Sequence, residues 1–99
     1  MRNYYLSLAT TVKEALEYLN RQVFHCILLD IGLPDISGEE LLPLIRNHSL
    51  NKNTPIIVIS SHVNEAIQLK YLQLGANHIY AKPISLNTLQ QLVESTLSS

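Results

Sequence analysis

Between Phe24 and Leu29 the chain passes through six residues, Phe-His-Cys-Ile-Leu-Leu, with hardly a polar interruption. A strand with one face in water alternates apolar and polar side chains, so a run without alternation fits a strand covered on both faces. Such covering takes helices before and after, and the flanking sequence supplies them. Thr11 and Glu14 have capping-box spacing, and Val12, Ala15, Leu16, Leu19 and Val23 recur at helical intervals. Beyond the run, Gly32, Pro34, Asp35 and Gly38 form a loop. Ser37 and Glu40 then repeat the capping spacing ahead of Leu41, Leu42, Leu44 and Ile45. Pro43, near the end of that helix's first turn, is a place for a kink.

The same alternation extends in both directions. Tyr4 to Ala9 is aromatic and aliphatic, has no cap before it and reads as a strand. After a polar stretch from Asn47 to Thr54, Pro55 leads into Ile56, Ile57, Val58 and Ile59, a strand rich in β-branched residues. Asn64 to Leu74 reads as a helix stopped by Gly75 in a left-handed conformation. Asn77 to Ala81 is a fourth short strand, followed by Lys82-Pro83. Ser85 then caps a last helix with Leu86, Leu89, Leu92, Val93 and Leu97 on its buried stripe. The order β-α-β-α-β-α-β-α predicts a doubly wound parallel α/β sheet of four strands and four helices with right-handed crossovers. At 99 residues and 46% hydrophobic, the chain makes one domain, residues 1–99.

Composition excludes several functions. Seven Lys+Arg against eight Asp+Glu leave no basic excess for nucleic acid. The longest apolar run is far too short for a membrane span, and the first residues lack a signal-peptide pattern. One cysteine, Cys26, set among aliphatic residues, reads as a buried thiol in a reducing compartment, so the expected location is cytoplasmic. His25, His48, His62 and His78 lack zinc-ligand spacing. No Gly-rich phosphate loop or nucleophile elbow is present, and Asp30-Ile31-Gly32 has no second aspartate of the dehalogenase-type phosphatases. The tyrosines Tyr4, Tyr5, Tyr18 and Tyr71 read as packing residues.

In parallel α/β sheets ligands bind beyond the carboxyl ends of the strands. Those positions here are Ala9-Thr10, Asp30, Ser60-Ser61 and Lys82. A carboxylate can attack phosphorus, a hydroxyl can bond a phosphoryl oxygen, and an ammonium can pair with its charge.

With these residues in place, the chain resembles the receiver domain of two-component response regulators. The resemblance is carried by ILLDIGLPDISGEELLPLIR (27–46), TPIIVISS (54–61) and LGANHIYAKPI (74–84). It implies the flavodoxin-like receiver fold and a phosphoryl group accepted at Asp30 from a histidine kinase or phosphotransfer protein. Ser60 and Lys82 would contact that group, and Mg²⁺ would be held by Asp30 and the backbone carbonyl of Gly32. It also implies a cis Lys82-Pro83 bond and a module that assists its own modification rather than a classical enzyme.

The chain departs from the family at two points. The family's first strand, which ends in an adjacent acidic pair that binds Mg²⁺, should precede Tyr4 and is expected to be absent. Mg²⁺ binding would then be weak, because Asp35, Glu39 and Glu40 read as loop and helix-start residues. A seam would also open beside Phe24 to Leu29, suited to a homodimer through the N-terminal strand. Second, Ile79 stands where the family commonly has an aromatic switch, and Tyr80 should face the other side of its strand. The competing expectation is a phosphorylation-independent docking or dimerisation module of the same fold.

Overall fold

The computed structural model describes residues 4–31 and 37–98. In chain order they form α1 (Val12–Leu19), β1 (Ile27–Ile31), α2 (Gly38–His48), β2 (Ile56–Ser60), α3 (Glu65–Leu74), β3 (His78–Ala81) and α4 (Leu86–Ser98). The strands make one parallel sheet in the order β1-β2-β3. Its register puts Leu29, Val58 and Ile79 in one row and Asp30, Ile59 and Tyr80 in the next. Successive rows face opposite sides of a sheet. The first row belongs to the core, with Leu19, Leu41, Leu42, Ile45, Ile56 and Tyr71 packed around it.

The expected caps form as the local chemistry dictates. Thr11 Oγ1 accepts from the Glu14 amide at 3.1 Å and Ser37 Oγ from the Glu40 amide at 3.4 Å; Asn64, not expected as a cap, accepts through Oδ1 from the Ile67 amide at 2.8 Å. Ser85 Oγ accepts from the Thr88 amide at 3.1 Å. Gly75 ends α3 at φ +118°, a backbone region that side chains disfavour. Pro43 lies inside α2, and the Lys82-Pro83 bond is cis.

The sheet has three strands among the described residues, not the four expected. Tyr4 to Ala9 is not a strand, and Tyr4, Tyr5, Leu6 and Leu8 are exposed. A residue's β preference reflects packing on a pleated surface, and its backbone still needs a neighbouring strand. None of the described strands pairs with this segment. The Phe24–Leu29 run is likewise only half strand. The Phe24 amide donates to Asn51 Oδ1 at 2.7 Å, and the strand starts three residues later and runs past Asp30 to Ile31. Leu28 is 41% exposed, so the expected cover on both faces is missing there. Two helical stripes are shorter than their periodicity suggests. α1 stops at Leu19 and leaves Val23 exposed, while Leu86 is exposed at the start of α4 and Leu89, Leu92, Val93 and Leu97 are half-buried.

Two polar side chains, neither singled out by the sequence reading, tie the loops at the amino ends of the strands. Asn51 is fully buried, and its Nδ2 donates to the carbonyls of Leu19 and Gln22, both at 2.9 Å. Its Oδ1 accepts from the Phe24 amide and from Thr54 Oγ1 at 2.9 Å. The Arg46 guanidinium donates to the carbonyls of Gly75 at 2.9 Å and Thr54 at 2.8 Å and to Asn77 Oδ1 at 3.0 Å. Partial burial pulls its pKa below the ordinary value. These bonds satisfy backbone groups that the loops would otherwise bury unpaired.

Candidate functional site

Asp30 and Lys82 meet at the carboxyl edge of the sheet. Asp30 is carried by β1, one residue before its end. Lys82 follows β3, and its backbone amide donates to the Ser60 carbonyl at 2.8 Å, which anchors it to the end of β2. From there its side chain crosses to β1, where Nζ makes an ion pair with Asp30 Oδ1 and donates to the Ile31 carbonyl at 3.4 Å. The ion pair lacks hydrogen-bond geometry, so the buried Oδ1 atom has no hydrogen-bond donor among the described residues. The Asp30 and Lys82 side chains are 44% and 33% exposed, which leaves the carboxylate open to a donor from solvent.

Ser60 reaches the same edge and is buried, but its hydroxyl serves its own turn. Oγ donates to the His62 carbonyl at 3.0 Å and accepts from the His62 amide at 3.2 Å. Short hydroxyl side chains often compete for local backbone in this way. The structure therefore brings Asp30 and Lys82 together and leaves Ser60 beside them with its hydroxyl otherwise engaged. Gly32, expected as a carbonyl ligand, and Asp35 lie outside the described residues.

The remaining candidates do not join the Asp30–Lys82 pair. Glu39 and Glu40 are exposed in the first turn of α2, where Glu39 pairs with Lys70 of α3. His62 is exposed. Cys26 is half-buried, and burial raises the pKa of its thiol. Ile79 packs in the core; Tyr80, on the other face, is half-buried with its ring centroid 6.2 Å from that of His78. Tyr5 is fully exposed, against the packing role expected of it, whereas Tyr71 is buried.

Among the described residues no group of three or more His, Cys, Asp or Glu side chains could hold a metal ion. Asp30 is the carboxylate at the sheet edge among the described residues, and one carboxylate is a poor match to Mg²⁺, which needs near-octahedral oxygen ligation. The arrangement can present a carboxylate oxygen as a nucleophile and place one positive charge beside whatever that oxygen acquires.

A parallel α/β sheet with an aspartate and a lysine joined at its carboxyl edge places the chain in the class of wound α/β signalling and binding folds that present side chains at their strand ends. The chain belongs to the response regulator receiver domain family of two-component phosphorelay signalling, whose model matches residues 1–94. It is 35% identical over 89 residues to the response regulator protein PilR of Pseudomonas aeruginosa, covering 90% of this chain and 20% of that protein. Among solved structures it is similar to the receiver domain of a sensor histidine kinase from Pseudomonas aeruginosa that has a magnesium ion coordinated in its active-site cleft. That match has 27% identity and a TM-score of 0.83, over 97% of this chain and 79% of the other. The receiver domain of a Francisella response regulator gives 28% identity and a TM-score of 0.82, over 93% of this chain and 74% of the other. The chain thus spans about a fifth of the length of PilR. No helix among the described residues is long and apolar enough to cross a membrane.

Proposed function

We propose that this chain is a phosphoacceptor module in which Asp30 takes a phosphoryl group from a histidine kinase or a phosphotransfer protein. The observation that carries this reading is the ion pair between Asp30 and Lys82, open to solvent at the carboxyl edge of the sheet. An Asp30 oxygen attacks phosphorus in line and the P–N bond of the donor phosphohistidine breaks. The released imidazole takes a proton from water, and a mixed anhydride remains on Asp30. The Lys82 ammonium offsets charge on the phosphoryl oxygens, which is most of what such transfer requires of a protein. Ser60 contributes a hydrogen bond once its hydroxyl turns from His62 toward that group.

Residues 1–99 act in this reading as one receiver-type unit. The support is that the described strands make one sheet and that Asp30 is the one carboxylate paired with Lys82 among the described residues. Asp30 and the Gly32 carbonyl would hold magnesium in this reading, and a single carboxylate would hold it more weakly than several. Incubation with acetyl phosphate and excess Mg²⁺ tests the proposal. A gain of one phosphoryl mass that is lost in Asp30→Asn supports it, and an unmodified chain overturns it.

A second reading, a docking module that works without phosphorylation, is favoured by the Ser60 hydroxyl being held by the His62 backbone. It predicts partner binding that is indifferent to Asp30→Asn. The open edge of β1 and the exposed Tyr5, Leu6 and Leu8 also suit pairing with a second copy. Light scattering at high concentration decides that point, since a monomeric mass removes the dimer.

A further inference from the structure

The described residues hold two ion pairs: Asp30 with Lys82 at the sheet edge, and Glu39 with Lys70 between α2 and α3. A chain of close contacts runs between them. Ile31 follows Asp30, and its carbonyl accepts from Lys82 Nζ at 3.4 Å. A Cβ placed on Gly38 would lie 2.1 Å from Ile31 Cδ1 and 3.0 Å from Tyr71 Cε1, so the Ile31 side chain and the Tyr71 ring both press on the bare Cα at the start of α2. Tyr71, at 7% exposure, is the one buried tyrosine of the chain. Its phenol pKa is raised, first by burial and then by the Glu39 carboxylate, while Lys70 lowers it. The ring and the side chain of the residue after Asp30 therefore meet over the same bare Cα of Gly38, and the phenol feels both members of the outer ion pair.

We propose that Tyr71 is a positioning residue that couples the state of Asp30 to the Glu39–Lys70 contact between α2 and α3. Lys82 divides its ammonium between Asp30 Oδ1 and the Ile31 carbonyl. A phosphoryl group on Asp30 carries more negative charge than the carboxylate and draws that ammonium away from Ile31. The freed peptide moves, and its side chain, set against the Cα of Gly38 beside the Tyr71 ring, passes the movement to them. Tyr71 turns with it and shifts α3 relative to α2 where Lys70 meets Glu39. Ile79, buried in the core as an aliphatic residue, offers no such ring. The identity of the trigger rests on the phosphoacceptor reading; the mechanical coupling does not.

A mutant cycle read by amide NMR tests the coupling without phosphorylation. Asp30→Asn removes the charge that holds Lys82. It is expected to shift the Lys70 amide resonance in the parent chain, to shift it equally in Tyr71→Phe, which keeps the ring, and to leave it unmoved in Tyr71→Leu. No Lys70 shift in the parent background, or an undiminished shift in Tyr71→Leu, overturns the proposal. If Tyr71→Leu does not fold, Ile31→Ala opens the same contact from the other side and must also abolish the shift. Failure of the phosphoacceptor reading shows separately, as the absence of a mass gain with acetyl phosphate.

Discussion

Lys82 reaches over the end of β2 to hold its ammonium against Asp30, two strands away, while its own backbone stays tied to Ser60. The lysine is thus anchored at its root by a backbone bond and held at its tip by Asp30 and the Ile31 carbonyl. A cation on such a tether meets an incoming phosphoryl group without rearrangement of its own backbone, the kind of preorganised charge that acts mainly on the transition state.

Removing that cation separates chemistry from stability. Because both side chains are a third or more exposed, the ion pair contributes less than about 1 kcal/mol to folding. Lys82→Ala is therefore expected to leave the thermal midpoint nearly unchanged. The same change is expected to slow phosphorylation by acetyl phosphate roughly tenfold or more, since it removes charge stabilisation at the transition state. A mass-spectrometric time course checks the rate. A rate equal to the parent's places the catalytic charge elsewhere.

Asn51 makes the opposite case, a residue important to folding and remote from the chemistry. Its amide fills two donor and two acceptor roles across segments distant in sequence, all in a fully buried position. Asn51→Leu would leave the Leu19 and Gln22 carbonyls and the Phe24 amide without this partner, at a cost of about 2–4 kcal/mol by the usual penalty for buried unpaired groups. Asn51→Asp retains the acceptors but loses both donors and buries a charge, so it should be no milder. Urea unfolding of the two variants measures this; a midpoint within error of the parent's would refute it.

The contrast between these residues explains what could be read in advance. Asp30 and Lys82 were legible because strand ends carry ligands in parallel sheets and because the surrounding motif is distinctive. The caps at Thr11, Ser37 and Ser85 and the stop at Gly75 were legible because each depends on atoms within a few residues. Asn51 was not, since its bonds reach 27 to 32 residues back and no local pattern marks them. Tyr4 to Ala9 misled for a related reason: its side chains favour strand, but a strand exists only beside another strand. Ser60 was placed correctly at the sheet edge, while the direction of its hydroxyl depended on the turn that follows, through His62.

Two glycines should respond differently to the same methyl group. At Gly38 an added Cβ meets Ile31 Cδ1 at 2.1 Å, against a side chain whose position is set by the end of β1 and by Tyr71. Gly38→Ala is expected to cost about 1–3 kcal/mol through overpacking and to alter phosphorylation at Asp30 next to Ile31. At Gly75 the strain lies in the backbone, at φ +118°, with the Arg46 side chain 2.7 Å from an added Cβ. Gly75→Ala is expected to cost about 1–2 kcal/mol and to leave phosphorylation unchanged. Denaturant midpoints combined with acetyl phosphate labelling distinguish the two, and equal labelling rates would sever the link from Gly38 to the site.

Tyr71 gives the protein a dependence on alkaline pH whose sign follows from its burial. Burial and the Glu39 carboxylate raise the phenol pKa above its ordinary 10.0, so the folded state retains this proton when the unfolded chain has lost it. Stability from this group is therefore complete below the unfolded pKa and falls as pH rises from about 10 through the folded value. Cys26, also raised by burial, acts in the same direction from a lower starting point. We expect the urea midpoint of the parent to fall above about pH 9 and that of Tyr71→Phe to fall less steeply above about pH 10. Adding Cys26→Ser to Tyr71→Phe should flatten the profile further. Parallel profiles for parent and Tyr71→Phe would mean that the Tyr71 phenol ionises as easily in the folded chain as in the unfolded one, contrary to its burial between α2 and α3.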